Sequence, residues 1–208
     1  MSWIEVLVEG SSDVPAIREV LTRKFSLTEG QHFRIHPHKG RGNFPGKILS
    51  QPLLRNESLL YQLPAKLRGF STWFTKEHWV LVVVDADETP CGELLQNLEE
   101  LLIKLVKPPR VLFRIAVEET ESWFIADTAA VKKAYPNANI ALIKRIQPDA
   151  VCGAWEKLAE SIQAKGKDKT AWAEKISPHL NLENPSSPSF KKLLDGIQKE
   201  LKATISRP

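Results

Sequence analysis

Three apolar runs in this chain end in clustered carboxylates: Glu9 and Asp13 in VLVEGSSD, Asp85 and Asp87 in VLVVVDADETP, and Glu119 and Glu121 in RIAVEETES. Acidic side chains repel one another and resist burial, so their grouping calls for a cation to offset the crowding. Oxygen donors in this number favour Mg2+ or Mn2+, which keep several waters and bridge to substrate phosphate. Residues two apart on an extended chain share a face, which would aim Asp85 with Asp87, and Glu119 with Glu121, into one space. Glu118 then falls on the opposite, surface side. If a helix begins there instead, Glu118 and Glu121 share the face. Simpler roles stand beside these. Glu9 can close a strand before a glycine turn, Asp13 can complement a helix dipole, and Asp85, Asp87 and Glu88 can form a solvated strand exit.

Basic residues offer a second chemistry. Lys39 and Arg41 lie in HKGRGNFPGK, a flexible glycine loop suited to gripping a nucleic-acid backbone, or else simply solvated. This loop is no nucleotide-binding P-loop, because Gly40 stands one residue too far from Gly46 and Lys47, and Ile48 follows where Ser or Thr is required. Lys167 and Lys169 are candidates to neutralise charge on a transferring phosphoryl group, with a charged helix face as the alternative. His36 and His38 lack the Cys and His partners of a zinc site and are expected at the surface. Trp123 is expected in the core.

The elements that must position these groups follow from periodicity. WIEVLV at residues 3–8 reads as a strand, and Glu9 to Asp13 as a turn into a helix reaching Phe25, with Ser11 or Ser12 as a cap and Val14, Ile17, Val20 and Leu21 on one face. A short strand spans Phe33 to His36. Leu53 to Leu67 has a helical rhythm broken near Pro64. Val80 to Val84 has the unbroken β-branched character of a strand buried on both sides. Cys91 to Leu105 reads as a helix ended by Pro108 and Pro109, Arg110 to Val117 as a strand, and EETESWFIADTAAVKKAY as helical. Strands alternating with helices define an α/β sheet with parallel elements, and the carboxyl ends of such strands line one crevice where the three acidic clusters can meet. Residues 140–208 look helical with Pro- and Ser-rich breaks. The expected organisation is an α/β core over 1–127 and a helical C-terminal extension over 128–208 packed on it as one compact unit.

The chain has 208 residues, a formal net charge of +4 and ordinary apolar and charged fractions, which permit an acidic partner without demanding one. Its two cysteines, Cys91 and Cys152, fit no metal spacing and read as reduced thiols. The opening MSWIEVLVEG lacks the pattern of a secretory signal, and no apolar run approaches the length of a membrane span, so an intracellular, cytoplasmic protein is expected.

Taken together, Glu9-Gly10, Asp85-x-Asp87 and Glu119-x-Glu121 after successive strands resemble the Toprim domain, especially that of the overcoming-lysogenization-defect (OLD) nucleases. VEGSSD, VDADETPCGEL, RIAVEETESWFIAD, KTAWAEKISPHL and SPSF, in that order, resemble the bacterial DUF4276 family over almost the whole chain. The resemblance implies a Toprim-like fold. It also implies that Glu9 acts as general acid or base or holds metal, that Asp85 and Asp87 bind metal, and that Asp13, Glu119 and Glu121 complete a one- or two-ion site. The implied function is a metal-dependent nuclease or related phosphodiester-processing enzyme acting on DNA or RNA, in phage defence, with any ATPase supplied by a partner protein. Two other readings are a non-catalytic nucleic-acid- or partner-binding regulatory subunit that keeps the acidic pocket, and a phosphatase or nucleotide hydrolase using the same ions. A topoisomerase is disfavoured with only Tyr61 and Tyr135 as tyrosines and no second catalytic domain evident, and a primase by the lack of accessory modules.

Overall fold

The computed structural model describes residues 2–53, 55–87, 89–150 and 153–205. Cys152 and Glu88 lie outside them, while Cys91 is a free thiol. Four parallel strands, β1 (Trp3–Val8), β2 (Phe33–Pro37), β3 (His78–Asp85) and β4 (Val111–Ala116), form one sheet in the order β2-β1-β3-β4. The two central strands are the most apolar, because both of their faces are covered.

Strand alternation divides the side chains between two cores. Ile4, Val6 and Val8 of β1 with Trp79, Leu81 and Val83 of β3 point to one face, and Leu7 with Val80, Val82 and Val84 to the other. Helices α2 (Leu59–Ser71) and α3 (Cys91–Ile103) cover the second face through Leu59, Leu63, Leu67, Leu94, Leu98 and Leu101. The first face carries α1 (Val14–Glu19), which continues as a wider π-helical turn over Val20–Lys24, and the later helices α4 (Glu121–Ala126), α5 (Thr128–Ala134), α6 (Ala154–Ser161), α7 (Lys169–Ile176) and α8 (Pro188–Ile205). Short 3-10 turns at Ile140–Leu142 and Ser177–His179 join them.

Two expectations need correction here. The helix begins at Leu59 rather than Leu53 and runs unbroken through Pro64. Proline forfeits one amide hydrogen bond, but Leu59, Leu60, Leu63 and Leu67 are all buried against the sheet, and that packing outweighs the local penalty. The long stretch after β4 is two helices rather than one. Asp127 separates them, its Oδ1 accepting from the Ala130 amide at 3.0 Å as the cap of α5 and its Oδ2 from the Asn181 amide at 2.7 Å.

The last helix is fastened to the edge of the sheet. Arg110 donates to the Glu200 carboxylate, to the Glu200 carbonyl at 2.7 Å and to Thr204 at 2.9 Å. Gly196 lets α8 approach Arg114, whose guanidinium Nη2 lies only 2.0 Å from where a Cβ would stand. Trp123 lies in the core, 1% exposed, stacked on Phe190 with centroids 4.9 Å apart and donating to Ser189 Oγ at 2.9 Å.

Trp123→Ala should therefore lower the unfolding free energy by about 3–5 kcal/mol in denaturant titrations. Val106→Ala, at a fully exposed position, should change it by less than about 0.5 kcal/mol.

Candidate functional site

Strand order decides where a site can form. From β1 the chain turns outward to β2, and from β3 it turns outward to β4, with α1 and α3 on opposite faces of the sheet. The carboxyl ends of β1 and β3 thus meet at the switch point of the sheet. Glu9 follows β1 directly and Asp85 ends β3. They touch: Glu9 Oε1 accepts from the Asp85 amide at 2.8 Å.

Three further elements bring charge to this point. Asp13, buried at the start of α1, accepts from the Gly10 amide at 2.9 Å and from Thr120 Oγ1 at 2.8 Å, so it pins the turn after β1 to the start of α4. Glu121, buried in the first turn of α4, and Glu119 just before it both face Lys169 at the start of α7. Lys169 Nζ donates to Glu119 Oε1 at 2.9 Å and lies 3.5 Å from Glu121 Oε1. Glu119 Oε2 also accepts from the Trp155 amide at 3.2 Å, and Glu118 Oε2 from the Gly153 amide at 3.0 Å.

The electrostatic result is a set of carboxyls that hold protons unusually well. Burial, with added repulsion from Asp13 and Asp87, pushes Glu9 up to about 8, against the pull of the Asp85 amide and Arg41. Burial raises Glu121 to about 7 despite Lys169. Burial raises Asp13 too, although the Thr120 and Gly10 bonds oppose it. Asp85 is pushed well above the usual carboxylate range by burial and then by Asp13, Glu9, Glu121 and Glu119. Lys169 is shifted upward as well: burial disfavours its charge, but Glu121 and Glu119 outweigh that and hold it protonated.

Glu9, Asp13, Asp85, Glu119, Glu121 and Lys169 are therefore one neighbourhood. Asp87 is only at its rim. Strand β3 ends at Asp85, and Asp87 has a left-handed φ of 45°, so the expected same-face pairing with Asp85 does not occur. Its side chain is 52% exposed and lies 3.3 Å from Arg41 Nη1. The same correction applies after β4, where the strand stops at Ala116 and Glu118 takes a φ of 67°. Glu119 and Glu121 meet through Lys169 instead of through strand alternation. Glu118 is half-buried rather than on the surface, held at the start of α6.

The basic candidates separate as well. Arg41 is mostly buried and already engaged, donating to the Ala86 carbonyl at 2.6 Å and to Thr89 Oγ1 at 2.9 Å, which braces the loop after β3. Lys39 is exposed and paired with Glu57. Lys167 is exposed, its Nζ 4.8 Å from the centre of the Trp155 ring. His36 pairs with the buried Glu5 at 2.5 Å, and His38 Nδ1 lies 2.8 Å from the Val8 carbonyl oxygen, so neither stands in the acidic cluster. Thr120 and Trp155 are neighbours of the site that no spacing in the sequence singled out.

The acidic side chains are oxygen donors, the type a hard divalent ion takes. Among the described residues no hydrogen-bond donor reaches the Asp85 carboxylate, which keeps partial exposure amid carboxyls. Among the same residues no three acidic, His or Cys side chains stand together as a ligand group. Glu9, Asp85 and Asp13 supply oxygens on one side, and Glu119 and Glu121 on the other, where Lys169 now lies.

A four-stranded parallel sheet flanked by helices, with acids gathered at the ends of β1 and β3, defines an open α/β fold. The model of the family described as "Domain of unknown function (DUF4276)" matches residues 8–198, and the chain belongs to that family. Among solved structures, it is similar to the C-terminal region of the Burkholderia pseudomallei OLD protein, with a TM-score of 0.55 and 11% identity over 94% of this chain and 97% of that one. It is also similar to the C-terminal region of the Xanthomonas campestris pv. campestris OLD protein, with a TM-score of 0.51 and 10% identity over 100% of this chain and 99% of that one. No curated protein matches. Among the described residues no helix is long and apolar enough to cross a membrane.

Raised carboxyl pKa values fix the sign of a pH effect. Between the unfolded value of 4.5 and about 8, the native state holds protons at Glu9 and Glu121 that the unfolded chain has lost. Stability contributed there is complete below 4.5 and is lost as pH rises through 7 to 8. Thermal unfolding in a chelator should show a midpoint that falls from pH 5.5 to pH 8, with several kcal/mol at stake in order of magnitude. Added Mg2+ or Mn2+ should restore it at pH 8; a midpoint indifferent to pH and metal would remove the cluster's claim to be ion-binding.

Proposed function

We propose that the chain is a metal-dependent nuclease, or a related phosphodiester-processing enzyme, acting on a nucleic-acid backbone. The observation that carries this reading is the carboxylate of Asp85, reached by no described donor and surrounded by Glu9, Asp13, Glu119 and Glu121 at the switch point of the sheet. Glu9, Asp13 and Asp85 would hold a first ion, and Glu119 and Glu121 a second, with Asp87 contributing at the rim. Bound there, Mg2+ or Mn2+ supplies Lewis acidity toward phosphoryl oxygens and acidifies a coordinated water.

The chain's own groups then have distinct work. Glu9 stands beside Asp85, where it would either ligate the ion or, left uncoordinated, exchange a proton with the attacking water or the leaving oxygen. Lys169, held charged between Glu119 and Glu121, is suited to facing the extra negative charge of the phosphoryl transition state. The core over 1–127 provides the acids, and the helical segment over 128–208 provides Lys169 and Lys167. Lys39 offers further backbone contact at the rim. A partner ATPase acting in trans, in a cytoplasmic defence system, is part of the same proposal.

A second reading rests on a specific observation: Lys169 already neutralises two of the acids, as a non-catalytic subunit binding nucleic acid or a partner would require. Calorimetric metal titration beside cleavage assays on DNA, RNA and free nucleotides, with and without a partner ATPase, separates the readings. Cleavage of nucleotides alone would make it a small-substrate hydrolase.

Asp85→Asn and Glu9→Gln should each lower metal-dependent cleavage by about 100-fold or more. Because each removes one member of a mutually repelling group of carboxyls, each should also raise the metal-free melting midpoint at pH 8 by about 2–4 °C. Unchanged cleavage in either variant would sink the catalytic assignment.

A further inference from the structure

A cleft of about 480 Å3 opens beside the acidic cluster, bordered by Arg41, Asp87, Glu119, Trp155 and Glu156. Trp155 is the one aromatic among its described lining residues. One part of the indole packs on the core, and the rest remains exposed in a cleft otherwise made of polar and charged groups. Its neighbours on α6, Ala154 and Leu158, are fully buried and anchor that helix on the core. Two ammonium groups attend the ring, Lys167 at 4.8 Å and Lys169 at 5.4 Å from its centre.

The ring is also held in register with the acids. Glu119 accepts from the Trp155 amide through one oxygen and from Lys169 through the other, so one carboxylate ties the start of α6 to the edge of the cluster. A ligand suited to this arrangement presents a flat π face to the indole and an anion to the lysines, with its reacting bond over the carboxyls. A nucleotide has all three. A base inside a duplex has its faces covered by its neighbours, whereas an unpaired one can turn onto an aromatic side chain.

Resting on the nuclease reading above, we infer that Trp155 is a stacking platform for one unpaired base of a single-stranded or frayed nucleic acid, with Lys167 turning from the ring to the adjoining phosphate. Lys167 is exposed, so giving up its place over the ring costs little. Lys169 remains fixed by Glu119 and Glu121. The cleft thereby selects strands whose bases are accessible.

The test is fluorescence anisotropy with the full chain, a labelled oligothymidylate and a blunt duplex, in Ca2+ to slow turnover. Trp155→Leu, which keeps apolar packing without a π face, should weaken oligothymidylate binding by about 5- to 100-fold. Trp155→Phe should retain most of the affinity, duplex binding should change little, and an abasic oligonucleotide should bind wild type and Trp155→Leu alike. Equal oligothymidylate affinity in Trp155→Leu with an unchanged melting midpoint overturns the inference; metal-dependent cleavage by wild type would then leave the nuclease reading standing. Wild type that neither binds nor cleaves any nucleic acid removes both. Should Trp155→Leu fail to fold, quenching of intrinsic fluorescence by oligothymidylate in wild type and Trp155→Phe decides: a smaller quench in the variant supports the platform, and an equal quench overturns it.

Discussion

Repulsion among buried carboxyls at the ends of β1 and β3 is the constraint around which this protein is built. Asp85 stands within the fields of Asp13, Glu9, Glu121 and Glu119, and partial burial removes much of the water that would have screened them. Such an arrangement survives only where the rest of the fold over-determines it. Here the two apolar cores do so, fixing β1 and β3 from both faces and leaving their ends no freedom to part. Hydrogen bonds from the Asp85 amide, the Gly10 amide and Thr120 then hold Glu9 and Asp13 in place.

The loops above the strands extend the same logic. Asp87 and Glu118 both adopt left-handed backbone conformations that cost energy for residues with a Cβ. They lie against each other: the Ala86 amide donates to Ala116 and the Asp87 amide to Glu118, so the two strained turns continue the β3–β4 ladder beyond its last regular pair. Arg41 closes the assembly by donating to the carbonyls of Asp85 and Ala86. Strain of this kind turns Asp87 outward and Glu119 toward Lys169, and it accounts for a rim and a floor with different characters.

Much of the fold was legible because its signals are local and redundant. The runs of β-branched residues marked the strands, the glycine turn after Glu9 marked the passage into α1, and the alternation of elements implied a parallel sheet. The grouping of acids at strand ends was legible for the same reason, since topology alone brings those ends together. What the sequence concealed were features decided by backbone conformations that no residue type announces. Nothing in DADE or VEETE requires positive φ, so alternation was extended beyond strands that in fact end at Asp85 and Ala116. Pro64 misled through a local rule that tertiary burial overrides. Trp155 and Thr120 carried no signal, because their position depends on α6 and α4 docking over the sheet from distant parts of the chain.

Lys169 shows how far the protein goes toward balancing its own charges. A single ammonium serves Glu119 and Glu121 directly, while Glu9, Asp13 and Asp85 have hydrogen-bond donors or nothing. The cluster is thus compensated on one side by a fixed cation in direct contact and on the other by the more distant Arg41 and by protons, which Glu9 retains up to about 8. Protons are weak compensation near neutrality, since they leave as pH rises and expose the full repulsion. A divalent ion placed among the same oxygens would displace them and convert that repulsion into ligation. Were the acids merely structural, their replacement by neutral side chains would stabilise the fold at no functional loss.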